Sequence, residues 1–187
     1  MSPLAPTLDE QRAEFARRRF LAMPMAGLVA WTVVAIGGIF LSPVGKSLLL
    51  FAATGSIVYL GMFFSKFTGE HFLDLQKPAN AFDKLSFYCL GGPLLVFAIA
   101  IPFFLLDRTS LPLSVGVLTG LSWVPFSWII QSNVGVLHAV ARTVLVVAAW
   151  YLLPSLRFIA IPLIIVVLYV VMIVVLERRW RNISRPS

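Results

Sequence analysis

The chain has 187 residues, 59% of them hydrophobic and only 12% charged, with mean hydropathy +0.93. A water-soluble domain carries about 25% charged residues, so this composition excludes one and makes lipid the solvent. The net charge of +7 gathers at the ends of apolar runs, not in a basic stripe interleaved with exposed aromatics; this is the pattern of membrane orientation, and no nucleic-acid partner is expected. The single cysteine, Cys89, excludes an intrachain disulfide.

Residues 1–19 read as a cytoplasmic, interfacial segment. In "TLDEQRAEFARRR", Thr7 or Asp9 is a suitable N-cap and the acidic residues come early, which predicts a short helix on the membrane surface. Arg17-Arg18-Arg19-Phe20-Leu21 looks like the core of a twin-arginine signal. The long apolar stretch behind it, the missing small-x-small cleavage site and the spans that follow make it a retained first span instead.

About 20 helical residues cross a bilayer core of about 30 Å, and long apolar runs without strict alternation favour helices over a barrel. Six spans follow: Phe20–Leu41, Ser47–Phe64, Leu85–Leu106, Leu111–Ile130, Val134–Leu153 and Leu156–Leu176. The predicted fold class is an all-α polytopic transmembrane bundle over residues 20–176, followed by a basic cytoplasmic tail, 177–187. Four-residue spacing of Ala22, Ala26 and Ala30 in the first span, and of Gly116 and Gly120 in the fourth, permits close helix crossings within one bundle or across a homodimer seam. Trp31 and Trp123 fall deep in their spans and are expected to pack between helices. Pro93 and Pro125 free the carbonyls of Cys89 and Leu121.

Residues 65–84 are the one substantial internal loop. Its "EHFLD" places Glu70, His71 and Asp74 within about one helical turn, but no His-x-x-x-His or cysteine cluster supports a metal. The alternation with Phe67, Phe72, Leu73 and Leu75 predicts an amphipathic interfacial segment. A haem would need His71 opposite His138, and His71 belongs to the loop, so no metal and no cofactor is expected.

The fifth span is balanced by hydropathy alone. Its ten Leu and Val residues each favour insertion by about 0.3–0.6 kcal/mol, against about 2.5–3.5 kcal/mol for a central arginine. Orientation decides it. With six spans, eleven lysines and arginines lie on the side of both termini and three (Lys46, Arg108, Arg157) on the other, a strong positive-inside bias that makes the termini cytoplasmic.

Arg142 then lies about 12 Å deep at about 1.5 Å per residue from Val134, and His138, four residues earlier, shares its face. Gln131 and Asn133 in the preceding turn, Ser127, Ser86 and the loop's Glu70, His71 and Asp74 fall at the same end. No span carries an interior carboxylate, so the expected answer to Arg142 is Glu70 or Asp74 folding inward, freed carbonyls with Gln131 and Asn133, or an anion from outside; snorkelling to lipid phosphates is the further alternative.

"EFARRRFLAMPMAG" and "SWIIQSNVGVLHAVART" resemble small six-span bacterial membrane proteins of unassigned function. The resemblance implies a multi-pass protein of the bacterial inner membrane and carries over no catalytic residue. The preferred expectation is a transporter-like or channel-like protein in the lipid bilayer with a cytoplasm-facing polar crevice. In it Arg142 receives a small anionic solute or lipid head group, oriented by His138, Gln131 and Asn133. Two alternatives stand beside it: an intramembrane enzyme acting on a lipid with His138 and Glu70, His71 or Asp74, and a non-catalytic scaffold or stress protein in which Arg142 anchors helices.

Overall fold

A computed structural model describes residues 6–70 and 80–184. His71 and Asp74 lie outside the described residues. Every element described is helical, in keeping with the all-α expectation.

Helix α1, Leu8–Ala16, opens with a reciprocal cap: Thr7 accepts from Glu10 N–H, and the Glu10 carboxylate accepts from Thr7 N–H at 2.7 Å. Helix α2, Ala22–Phe40, starts two residues later than the apolar pattern suggests, because Phe20 adopts a left-handed φ of 58° and turns the chain. Ser42 caps helix α3, Pro43–Gly55, with Pro43 in its first turn. Helix α4, Ile57–Thr68, continues it after a 46° bend, so the predicted second span is a bent helix pair, not one straight helix. The bend falls where Gly55 and Ser56 meet and where the Thr54 and Ser56 hydroxyls donate to the carbonyls of Leu50 and Ala53.

Asn80 caps helix α5, Ala81–Leu95, by accepting from Phe82 N–H at 2.8 Å. Pro93 has no N–H to bond the preceding turn, and a tightened turn at Val96 passes into helix α6, Phe97–Leu106. The fourth span also comes in two pieces, α7, Leu111–Gly120, and α8, Trp123–Ile129, with Pro125 in the first turn of the second. Helix α9 is Val134–Leu152. After a short 3-10 turn, helix α10 runs Arg157–Ser184, so the basic segment behind the last span stays helical through Arg181.

Among the described residues, five helices or joined helix pairs are long and apolar enough to cross a membrane, and the bent α3–α4 pair makes a sixth if it is one span. The core lies around α2 and α10. Helix α2 packs mainly on α10, α4 and α3, while α9 packs on α10, α7 and α8. Trp31 is wholly buried and Trp123 nearly so, as their depth predicted. The small-residue stripes are used inside the bundle: Ala22, Ala26 and Ala30 are buried, and Gly116 faces Ile165 and Val146.

The crossing of α2 on α10 is close. A Cβ at Gly38 would run into the backbone carbonyl of Phe158, which cannot rotate away. Gly38→Ala is expected to cost about 1–3 kcal/mol through overpacking, read as a lowered unfolding temperature in detergent. Gly91→Ala, with open space around the added methyl, is the control and should cost far less.

The segment around α1 and the end of the last apolar run of α10 meet at one end of the bundle. Arg19 forms a two-pronged ion pair with Glu177 of α10, at 2.8 and 3.0 Å. Arg18 pairs with Glu14 and with Asp83 at the start of α5. The Arg12 guanidinium stacks 4.0 Å from the Trp128 ring centre and donates to the Trp128 carbonyl. At the opposite end Arg157 lies over Trp150 at 3.4 Å and donates to the Thr109 hydroxyl.

Candidate functional site

Helix α9 begins at Val134, and Asn133 at its N-cap position makes no capping bond. The orphan N–H of Val136 is taken instead by the Ser127 hydroxyl of α8 at 2.7 Å. Gly135 allows this approach, since a Cβ there would strike the Trp123 carbonyl and come within 2.7 Å of Ser127 Oγ. Val134, Gly135, His138, Ala139, Arg142, Val146 and Ala149 are all buried, so the face shared by His138 and Arg142 points inward.

Arg142 is wholly buried, so it does not snorkel. One terminal nitrogen donates to the Tyr169 hydroxyl of α10 at 3.2 Å and the other to Thr119 Oγ1 of α7 at 2.9 Å. Thr119 in turn donates its own O–H to the Val115 carbonyl at 2.6 Å. The guanidinium carbon lies 5.3 Å from the Trp31 ring centre and 5.6 Å from that of Tyr169. Gly120 completes the seat, because a Cβ there would stand 3.0 Å from Arg142 Cδ. Thr119 and Gly120 are the last residues of α7, whose partial negative charge faces a cation there. Among the described residues no carboxylate pairs with Arg142. Hydroxyls, aromatic faces and a helix end answer it.

His138 sits between Trp123, 5.9 Å between ring centres, and Tyr169, at 5.0 Å. The backbone of Leu168 is beside it, but neither ring nitrogen makes a well-formed hydrogen bond. Arg142 Nε and Trp31 Nε1 are also buried without a hydrogen-bond partner. The node thus joins five helices, and its unfilled positions include two obligatory N–H donors.

Among the described residues, Gln131, Asn133 and Glu70 do not line a crevice around Arg142. Gln131 is exposed in a left-handed turn (φ 54°), and its amide donates to the Trp128 carbonyl at 2.9 Å. Asn133 is exposed as well, and neither residue bonds to Arg142. Glu70 does fold inward, but onto a different target. Its Oε1 accepts from the N–H groups of Leu21 and Ala22, at 2.7 and 2.8 Å, capping α2 across the chain. Trp31, the α2 residue beside Arg142, stands nine residues further along, about 14 Å at the helical rise, so Glu70 is not the counter-charge. Neither His138 ring nitrogen is hydrogen-bonded to Glu70.

Burial pushes the Glu70 carboxyl above the ordinary range, opposed by the Ala22 and Leu21 amides, the Thr68 hydroxyl and the Arg19 charge. Glu177 goes the other way, held below the usual range first by its bond to Arg19 and then by Arg181. Its contribution to stability is therefore complete above the ordinary carboxylate pKa of about 4.3 and is lost as pH falls through the lowered value. Unfolding temperatures of wild type and Glu177→Gln should converge on acidification across that window, the wild type losing more.

Thr119, Tyr169 and Trp31 were not foreseen as partners of Arg142. The available signal was their isolation: Tyr169 is the sole tyrosine in the last span, and Thr119 is the one hydroxyl inside the Gly116–Gly120 stripe. No curated protein and no solved structure matches the chain. The sequence model of a family of unknown function, DUF7010, matches residues 8–179, and the chain belongs to that family.

Proposed function

We propose that this is a multi-pass protein of the bacterial inner membrane, both termini cytoplasmic, whose Arg142 node binds a small anion and whose bundle carries it across the bilayer. The observation that carries the reading is the wholly buried guanidinium. No carboxylate answers it among the described residues, and buried N–H donors on Arg142 and Trp31 stay unfilled beside it. A buried cation and surplus donors are costly in hydrocarbon, and an acceptor-rich anion offsets both. Arg142 is the one permanent charge of the node, so a singly charged species is favoured over a dianion, which would leave a new uncompensated charge.

The test is flux in proteoliposomes loaded with chloride, nitrate, acetate, sulfate or phosphate. Wild type should move at least one monoanion, and Arg142→Met should move none. Equal flux from both, or no flux of any anion, would defeat the transport reading.

A second reading is favoured by the bonds from Arg142 to Tyr169 and Thr119, which tie α9 to α10 and α7. In it Arg142 is a helix clamp in a scaffold, stability falls on its removal, and anions have no effect.

A further inference from the structure

We infer that Phe20 is the plug of the route from the α1 end to the node, held closed by Glu70. A column of rings fills that route. Phe15 of α1 meets Phe20 at 5.0 Å, Phe20 meets Phe126 edge-on at 5.2 Å, and Phe126 meets Trp123 edge-on at 5.3 Å. Trp123 then meets His138, and His138 meets Tyr169, the hydrogen-bond acceptor of Arg142. Phe15, Phe20, Trp123 and His138 are each buried.

The backbone at Phe20 is strained. A φ of 58° is rarely adopted by a bulky residue, because its Cβ crowds the neighbouring carbonyl. The strain is held from both sides. Arg19 is anchored to Glu177 on α10, while the amides of residues 21 and 22 are gripped by the one Glu70 oxygen. Glu70 is aimed there by Gly69, whose left-handed φ of 77° ends α4, and its own N–H bonds the Ser65 carbonyl at 3.0 Å. When the Glu70 grip is lost, the residue relaxes to a negative φ. That rotation swings α1 and withdraws the Phe20 ring from Phe126, opening the column toward His138. Closure is thus a bistable junction with stored strain on the closed side.

The inference rests on the node being the working site, and its test reads access instead of flux. In a Cys89→Ser background in lipid nanodiscs, a thiol at the node (His138→Cys) is reacted with a hydrophilic methanethiosulfonate reagent. A second reporter, Ala149→Cys, is buried further along the same helix. Phe20→Ala and Glu70→Ala should each speed labelling at position 138 by at least about tenfold, a shift of the closed–open equilibrium by a decade, with position 149 still slow. Unchanged labelling at 138, or a parallel rise at both reporters as in general loosening, would overturn the plug. A junction that opens this way in a protein that moves no anion would leave the plug standing and sink the transport reading.

Discussion

Arg142→Met is expected to raise the unfolding free energy, at most by the about 1–4 kcal/mol gained when a whole buried ion pair or triad gives way to apolar residues of similar volume, while abolishing the response to anions. The residue is wholly enclosed and its Nε is unfilled, so the folded apo protein carries the desolvation of a cation with only dipoles against it. Methionine fills a similar volume flexibly, and Thr119 keeps its bond to the Val115 carbonyl. The loss is the guanidinium bonds to Tyr169 and Thr119, each worth about 1.5–3 kcal/mol when charge-assisted. The expected gain therefore requires that these bonds do not recover the full cost of burial. Calorimetry or thermal unfolding in detergent checks it. A clear drop in stability, with no anion effect in wild type, would assign Arg142 to clamping alone.

Gly135→Ala is the second large effect, expected at about 1–3 kcal/mol for overpacking with about 1 kcal/mol more for the lost cap. Its methyl would meet a main-chain carbonyl, that of Trp123, and would crowd Ser127 Oγ off the Val136 amide. The first turn of α9 must then retreat from α8, and His138 is on the next turn. Ser127→Ala removes the cap without the collision and should lose only about 1 kcal/mol. Comparing unfolding temperatures of the two separates capping from steric contact. Similar losses would mean that α9 yields easily at this crossing.

Much of the bundle was legible because lipid imposes simple constraints: helix length, apolar runs and proline or glycine breaks fixed the spans to within a few residues. His138 and Arg142 could be assigned to one shared face from four-residue spacing alone, and the structure buries both. Four features were not legible. The bend between α3 and α4 depends on hydroxyls bonding backward, and serine or threonine in an apolar run gives no sign of whether it will do so. The left-handed turn at Phe20 is held by residues far along the chain, and no local propensity predicts it. Glu70 was expected among the polar groups near Arg142, yet two unfilled amides at the start of α2 are nearer and compete for the same carboxylate. Helix ends are donors that hydropathy does not count. Partners of Arg142 came from α7 and α10, on either side of α9 in sequence, where only three-dimensional packing brings a lone threonine and a lone tyrosine together.

The central claim, that the buried guanidinium receives an anion, is tested most directly by thermal unfolding of the purified protein in nanodiscs titrated with nitrate or acetate, against sulfate at matched ionic strength. Binding to the folded state alone raises stability with ligand concentration. The account predicts a rising unfolding temperature for wild type with a monoanion, a weaker rise with sulfate, and a flat line for Arg142→Met. Parallel lines for the two proteins, or no rise in either, would contradict it.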